Sequence, residues 1–301
     1  NDLPHRSRNP GAAHLCGHDA HTAMLLGAAR VLSESRDRLR CSVRFLFQPN
    51  EEQLPGGAPA MIADGCLQGV DRVFGMHVWP VLDTGRIGLH VGPTMARPDN
   101  FAITLRGVGG HAAAPHHNRD VVVAAAHLVA ALQSVVSRNL DPLRAGVVSV
   151  TQIHTGTADN VIPESAFVGG TIRSFDAEDA DLMRARLEAI AEHTARAFEV
   201  EASIDYTVGY PVVLNDADAC DEVEAAVSTV VPVTRDVTPT LGGEDFAYYQ
   251  EKVRGAFIFL GNRDESQGIV HFCHHPRFRV DDNAMAHGVR TWVALARGAR
   301  A

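Results

Sequence analysis

The sequence is short of lysine and of net positive charge. Lys252 is its single lysine, and 27 basic residues stand against 36 acidic ones, which gives a net charge of −9. Nucleic acids and anionic membranes attract basic surfaces, so this charge argues against both as partners. The 301 residues also lack an apolar run long enough to span a bilayer, and they contain no internal repeat or low-complexity tract.

The beginning of the sequence lacks the features of a natural start. No signal peptide precedes the first motif, and residues 1–4 contain no Met and are typical of mid-domain sequence. We therefore expect the natural chain to begin earlier.

Cysteine is scarce and gives no sign of a disulfide framework. The cysteines are odd in number and form no CxxC pair. A reducing compartment is therefore the better prediction, and we expect a cytoplasmic protein. The five residues are Cys16, Cys41, Cys66, Cys220 and Cys273.

What the sequence does contain is typical of a globular protein of two domains. The hydrophobic fraction is 46% and the charged fraction 21%, both ordinary for soluble domains. A length of 301 residues corresponds to two domains at about 150 residues each. Histidine is abundant, with 16 residues, which leaves room for a metal site.

The order of predicted elements separates one part of the chain from the rest. Residues 98–208 are predicted to run strand, helix, strand, strand, helix, strand, which is the ferredoxin-like βαββαβ unit. Residues 1–97 and 209–301 share another pattern, in which strands alternate with helices. We therefore predict an α/β domain made of residues 1–97 and 209–301, with residues 98–208 inserted into it.

The most informative stretch is residues 16–21, where a thiol and two imidazoles occur within six residues. Thiolate and neutral imidazole are the ligands that zinc and similar metals prefer. Gly17 allows the backbone to turn so that Cys16 and His18 can converge. The alternative is a small buried Cys beside the polar start of a helix.

Three other places carry acid, base or metal-binding groups. Glu51 and Glu52 follow a strand predicted at residues 42–47, His77 ends another predicted strand, and His274 lies in a loop. In open α/β sheets ligands bind at the carboxyl edge of the strands, so these groups are expected to meet there. A lone His is more often structural, and a Glu pair is usually solvated. All of them together, in this architecture, indicate a metal centre.

Several further stretches of the sequence form recognisable motifs. Together with those above, they are residues 13–21, 47–52, 75–77, 109–113, 115–116, 160–163, 243–246 and 274–276. In this order they resemble the metal-dependent N-acyl-amino-acid amidohydrolases, a group that includes hippurate hydrolases, bacterial aminoacylases and plant auxin-conjugate hydrolases. The resemblance covers essentially the whole chain, and it implies a di-metal peptidase-like α/β catalytic domain with an inserted ferredoxin-like lid that commonly dimerises.

The resemblance assigns a role to individual residues. It implies Glu51 as the general base, and it implies that His111, Asn160 and Arg173 reach the substrate from the lid, His111 in its own site or in that of the other subunit. The family pattern His-x-Pro favours the first His of the pair at 274–275. The implied metal ligands are Cys16, His18, Glu52, His77 and His274.

The sequence departs from the family pattern in three places. Asn1 falls about where an Asp is usual, and Gly243 falls where Ser is common. The family's N-terminal helix and strand are missing from this sequence. Without that strand the sheet would be one strand short, although every implied ligand is present.

The implied chemistry is hydrolysis of the amide bond of a small N-acyl amino acid by a homodimer that dimerises through its lid. Two divalent ions, zinc or manganese with cobalt or nickel as alternatives, can share a water when about 3.5–4 Å apart and lower its pKa to ~7. Glu51 would take the proton of this water and pass it to the leaving amine. The ions and His111 would stabilise the oxyanion, and Arg173 with Asn160 would hold the substrate carboxylate.

Two alternatives stay open at this point. A dipeptidase would use the same chemistry, but it needs an acidic group for the free amine of its substrate. A metal-binding dimer module that has lost catalysis is the other alternative, motivated by the three departures and opposed by the intact Glu51.

Overall fold

A computed structural model describes residues 3–298, so Asn1 lies outside the described residues. The first part of the chain carries two helices and three strands before the inserted region. These are α1 (His18–Ser33), α2 (Ala58–Ala63), β1 (Val73–Asp83), β2 (Ile87–Gly88) and β3 (Gly92–Met95).

The middle of the chain forms an antiparallel sheet covered by helices. Its elements are β4 (Arg97–Arg106), β5 (Gly110–His111), α3 (Val121–Leu132), α4 (Ser134–Asn139), β6 (Gly146–Thr155), β7 (Val161–Ile162), β8 (Ser165–Ser174), α5 (Ala177–Ala197) and β9 (Glu201–Thr207). The order of the four long strands in the sheet is β6-β8-β4-β9, and every neighbouring pair is antiparallel. Together with the intervening helices, this is the βαββαβ arrangement.

The last part of the chain returns to the first sheet. Its elements are β10 (Val213–Asn215), α6 (Ala217–Val227), β11 (Val233–Thr234), α7 (Ala247–Gln250), β12 (Gly255–Arg263) and α8 (Asp282–Gly298). The strand order of this sheet is β1-β12-β2-β11, with β1 parallel to β12 from Val73↔Gly255 to Trp79↔Gly261. Two segments that are distant in sequence therefore share one sheet, and β3 and β10 pair beside it.

The first sheet is buried on both faces. All residues of β12 from Gly255 to Asn262 are buried, which explains its nearly continuous apolar sequence. One face packs against α1, α6 and α8, through residues such as Met24, Val223 and Leu295. The other face packs against Phe246 and Tyr249. The α/β fold class with an inserted ferredoxin-like unit is therefore confirmed.

The inserted region has a core of its own. Ile103 and Leu105 of β4 are fully buried against Leu128 of α3 and Leu187 of α5. Asp120 and Asp176 cap these two helices by accepting hydrogen bonds from backbone N–H groups of their first turns.

The strand predicted at residues 42–47 is wrong. The segment is extended, but in the described part of the chain it pairs with no strand. A strand requires a neighbour for its backbone hydrogen bonds, and here the segment borders a cavity of 1930 Å³. Residues 40–48 line this cavity, and so do residues 69–77, which include the first part of β1.

Candidate metal centre

Residues 16–18 are held by a tight turn against the middle of β1, because the strand continues to Asp83 and does not end at His77 as predicted. Gly17 has a φ of 101°, in the left-handed region, and a Cβ at this position would lie 2.6 Å from Cγ2 of Val78. Only glycine fits both constraints. The turn places His18 at the first residue of α1 and brings Sγ of Cys16 to 3.2 Å from Nε2 of His77.

His77 is prepared as a ligand by its own strand. Its imidazole is buried, and Nδ1 donates a hydrogen bond to the carbonyl of Val78 at 2.7 Å. This bond fixes the proton on Nδ1 and leaves the lone pair of Nε2 facing Cys16. Burial lowers the pKa of His77 to about 4, so the ring is neutral at pH 7.

Glu51 and Glu52 both lie near His18, and Glu52 also faces His274. Oε2 of Glu51 lies 3.5 Å from Nε2 of His18. Oε1 of Glu52 lies 3.9 Å from the same nitrogen and 3.1 Å from Nε2 of His274. The loop that carries them turns at Asn50, which has a φ of 63°. The two adjacent carboxylates therefore share His18 as a neighbour, and Glu52 alone also contacts His274.

A buried carboxylate anchors this loop. Asp245 accepts hydrogen bonds from Nε2 of Gln48 at 2.6 and 2.8 Å, and from the N–H groups of Gly57 and Ala58 at 2.9 and 3.1 Å. Residues before and after the Glu51–Glu52 pair are therefore hydrogen-bonded to the same carboxylate, that of Asp245. Sequence reasoning missed this role, although Asp245 lies in a motif singled out there, residues 243–246.

His274 is brought to the site by a backbone contact. It has a φ of 67°, and its N–H donates to the carbonyl of Leu15 at 2.6 Å. The loop after β12 and the segment before Cys16 are joined by this hydrogen bond. His274 therefore faces Glu52 across the site, and its side chain is more than half exposed.

The electrostatics of the site keep its nitrogen atoms available. Burial lowers the pKa of His18 and lowers that of His21 well below its usual range, so both rings are neutral at pH 7. His21 uses Nε2 to accept the N–H of Val78 at 3.0 Å, which positions β1. Burial, with repulsion from Glu52 and Asp245, raises the pKa of Glu51 to about 8.

A second thiol, that of Cys273, lies within 4.8 Å of the thiol of Cys16. The interaction with Cys273, followed by burial, raises the pKa of Cys16. The interaction with Cys16 lowers the pKa of Cys273. Sequence reasoning assigned no role to Cys273, although its position directly before His274 was a usable signal.

The donor set fits a divalent transition metal. Ligand atoms of Cys16, His18 and Glu52 all lie within 4.8 Å of one another, as do those of His18, His21 and His77. Sulfur, neutral imidazole nitrogen and carboxylate oxygen are the atoms that zinc and related ions bind. The structure thus brings together all five implied ligands and Glu51.

The three residues of the inserted region lie elsewhere. His111 lies on β5 and Asn160 directly precedes β7, and the carbonyl of Asn160 accepts the N–H of Ala112 at 3.0 Å. Arg173 is half-buried on β8, opposite Pro98 on β4. Within residues 3–298, no described hydrogen bond or ion pair joins His111, Asn160 or Arg173 to the cluster.

Nitrogen, sulfur and carboxylate groups converge at the α/β sheet, beside the Glu51 carboxyl, whose pKa is raised. These features define a class of protein, the metallohydrolases. A family profile, that of peptidase family M20/M25/M40, matches residues 1–298. The chain belongs to this family.

Relatives and solved structures agree with this membership. N-acetyl-L-cysteine deacetylase of Bacillus subtilis (strain 168) is 40% identical over 283 residues, which cover 94% of this chain and 67% of that protein. IAA-amino acid hydrolase ILR1-like 4 of Arabidopsis thaliana is 34% identical and covers 97% of this chain and 68% of its own length. The crystal structure of the Bacillus subtilis YXEP protein, a dinuclear metal-binding peptidase of the M20 family, has a TM-score of 0.81 and 33% identity, and the match covers 99% of this chain and 76% of that one.

The predicted family and enzyme class are therefore confirmed. The chain is a metal-dependent amidohydrolase, an enzyme that acts on amide bonds.

Proposed function

We propose that this protein removes the acyl group from small N-acyl amino acids at a centre of two divalent ions. The observation that carries the proposal is the meeting of four separate stretches of chain around Glu51. The residues that would hold the ions are Cys16, His18, Glu52, His77 and His274. The relatives named as an N-acetyl-L-cysteine deacetylase and as an IAA-amino acid hydrolase support this substrate class.

Zinc or manganese is the proposed metal, with cobalt and nickel as alternatives. The relative described as dinuclear supports a pair of ions. When bound, the ions would lower the pKa of the attacking water molecule to ~7 and polarise the substrate carbonyl.

Glu51 is the proposed general base. Its carboxyl lies beside His18 at the centre of the site, while Glu52 faces His274. In its ionised form Glu51 can remove a proton from the attacking water, and burial, which raises its pKa, makes this carboxylate a stronger base than an exposed one. It then passes this proton to the nitrogen of the leaving amino acid.

The inserted region is the proposed lid. Residues 98–208 would form it, and residues 1–97 with 209–301 would form the catalytic domain. The two connections between the inserted region and the rest of the chain meet at Asp99. This residue accepts hydrogen bonds from Arg97 at 2.8–2.9 Å and from the N–H of Gly209 at 2.8 Å. Movement about this point would bring His111 to the oxyanion, and Asn160 with Arg173 to the substrate carboxylate.

A homodimer through the lid is the proposed assembly. β6 is an edge strand of the lid sheet, and Ile153 on it is 50% exposed. An edge strand leaves backbone groups that a second copy can pair with. Sedimentation at micromolar concentration should give a dimer, and Ile153→Lys should shift it toward monomer; a monomeric wild type would refute the assembly.

A cytoplasmic location is proposed from the thiols. All five cysteines are free, which fits a reducing compartment. Within residues 3–298, no helix has both the length and the apolar character needed to cross a membrane.

The test of the proposed reaction is amino acid release from a matched panel. The purified chain, supplied with zinc, manganese or cobalt, is assayed with N-acetyl amino acids, hippurate and the corresponding dipeptides with a free amine. Turnover of the N-acyl substrates above the dipeptides supports the proposal. Turnover of dipeptides alone indicates a dipeptidase, and metal binding without any turnover indicates a module that has lost catalysis.

A further inference from the structure

A second thiol lies at the metal centre. Cys273 directly precedes His274, and its Sγ, the Sγ of Cys16 and Nε2 of His77 all lie within 4.8 Å of one another. Both thiols are half-buried, and His77 is buried. This ligand group shares Cys16 with the group of Cys16, His18 and Glu52, and it adds His77 and Cys273.

The backbone holds the two thiols together. The N–H of His274 donates to the carbonyl of Leu15 at 2.6 Å, so the residues that precede His274 and follow Leu15 are neighbours. Sγ of Cys273 lies 3.9 Å from the carbonyl oxygen of Cys16. The pair is thus positioned by the same contact that brings His274 to the site.

The separations suit a tetrahedral ion. With metal–sulfur bonds near 2.3 Å and metal–nitrogen bonds near 2.0–2.1 Å, ligand atoms around zinc lie about 3.3–3.8 Å apart. Sγ of Cys16 is 3.2 Å from Nε2 of His77, and the third atom lies within the 4.8 Å limit. The hydrogen bond from Nδ1 of His77 to Val78 leaves Nε2 free to bind.

We propose that Cys273 is a thiolate ligand, which makes Cys16, His77 and Cys273 a sulfur-rich half of the centre. The other half then consists of His18, Glu52 and His274, which offer nitrogen and oxygen. Soft thiolates favour zinc, cobalt or cadmium over manganese, so the two halves would differ in metal preference. This inference rests on the proposed function, because it requires a metal at this place.

The alternative is that Cys273 only packs against the core. It contacts the cluster that contains Phe278 and Leu260, and free cysteine often serves as a small apolar residue. Replacement by Val keeps an apolar side chain and removes the sulfur, whereas replacement by Ser keeps the size. The two variants together separate packing from metal binding.

The experiment is a cobalt titration of the full chain. The protein is reduced until all five thiols react with a thiol reagent under denaturing conditions, and it is then stripped with a chelator. Co²⁺ is added, and the near-ultraviolet sulfur-to-cobalt absorption is measured per bound ion. Variants C273S and C273V are compared with wild type and with C41S, whose half-buried thiol lies near the carbonyl of Ala296.

The expected result is a sulfur-to-cobalt band in wild type and in C41S. In both C273S and C273V the band should fall to about half per bound ion, because one of two thiolates is lost. Competition should also show that the preference for zinc over manganese is weaker in both variants. Circular dichroism of the stripped proteins establishes that each variant is folded.

Two other results would overturn the inference, and they differ in what else they affect. Bound cobalt with the wild-type band in C273S and C273V refutes the role of Cys273 and leaves the proposed function standing. Failure of the reduced wild type to bind cobalt or zinc refutes the proposed function and this inference with it.

Discussion

The inserted region and the metal-centre region are held in different ways. In the inserted region β4 pairs with β8 over ten consecutive residues, from Arg97↔Ser174 to Arg106↔Ser165, and with β9 on its other side. In the metal-centre region β1 pairs with β12 on one side, while its other side faces the cavity along residues 40–48.

The helices show the same difference. α3 and α5 begin at aspartates whose carboxylates accept first-turn N–H groups, whereas α1 begins at Gly17, which offers no side-chain cap. Regular strand pairing and helix caps stabilise the inserted region, whereas single side chains and tight turns position the residues of the metal-centre region. Stability and metal binding should therefore respond separately to mutation.

Glu51→Gln should have the largest effect, and it should be confined to catalysis. The amide cannot take a proton from water, so we expect kcat to fall by roughly 10²–10⁴-fold. Metal content and melting temperature should stay near wild type because Glu52, not Glu51, is the proposed ligand. The control is Glu34→Gln, since Glu34 lies at the exposed end of α1. Unchanged turnover in Glu51→Gln would exclude this residue as the base.

Leu105→Ala should affect the inserted region alone. Leu105 is fully buried between β4 and the helices, so its truncation should cost about 2–5 kcal/mol of unfolding free energy. Denaturant titration measures this cost, and Leu143→Ala, at a side chain that is 94% exposed, should change it by less than about 0.5 kcal/mol. Zinc affinity of the folded Leu105→Ala protein should equal that of wild type; weaker binding would show that the regions are coupled.

Two buried aspartates allow a matched comparison between the regions. Asp245 accepts hydrogen bonds around the Glu51–Glu52 loop, and Asp99 accepts them from Arg97, Tyr206 and Gly209. Each Asp→Asn change should cost about 1.5–3 kcal/mol, because charge-assisted hydrogen bonds are lost.

The two variants should differ in metal binding. Asp245→Asn releases Gln48 and the loop after it, so competition with a chelator should show weaker zinc binding. Asp99→Asn should leave zinc binding at the wild-type level. Equal zinc affinity in both variants would show that the loop does not need its anchor.

The sequence is informative where local chemistry decides the structure and uninformative where a distant partner decides it. Asp176 as a helix cap and the βαββαβ order follow from local patterns, and both are present. The alternation at residues 42–47 predicts a strand, yet strand formation also depends on a neighbour that local pattern does not reveal.

The site shows the same limit. Short motifs and the family resemblance identified the residues that converge around Glu51. They gave no sign that Asp245 anchors the loop or that Cys273 lies beside Cys16, because both contacts join residues about 200 or more positions apart. Such pairings are fixed by the sheet that β1 and β12 share.

Asp120→Ala should have the smallest effect and gives the finest test of the difference between regions. Asp120 accepts the N–H groups of Val122 and Val123 at 2.8 and 3.2 Å, so losing this cap should cost ~1 kcal/mol. Asp37→Ala, at a side chain that is 98% exposed, serves as the control in the same denaturation series. Because α3 belongs to the lid core, kcat and zinc affinity should not change. If zinc affinity fell with stability, the lid would be supporting the metal centre, and the separation between the two regions would not hold.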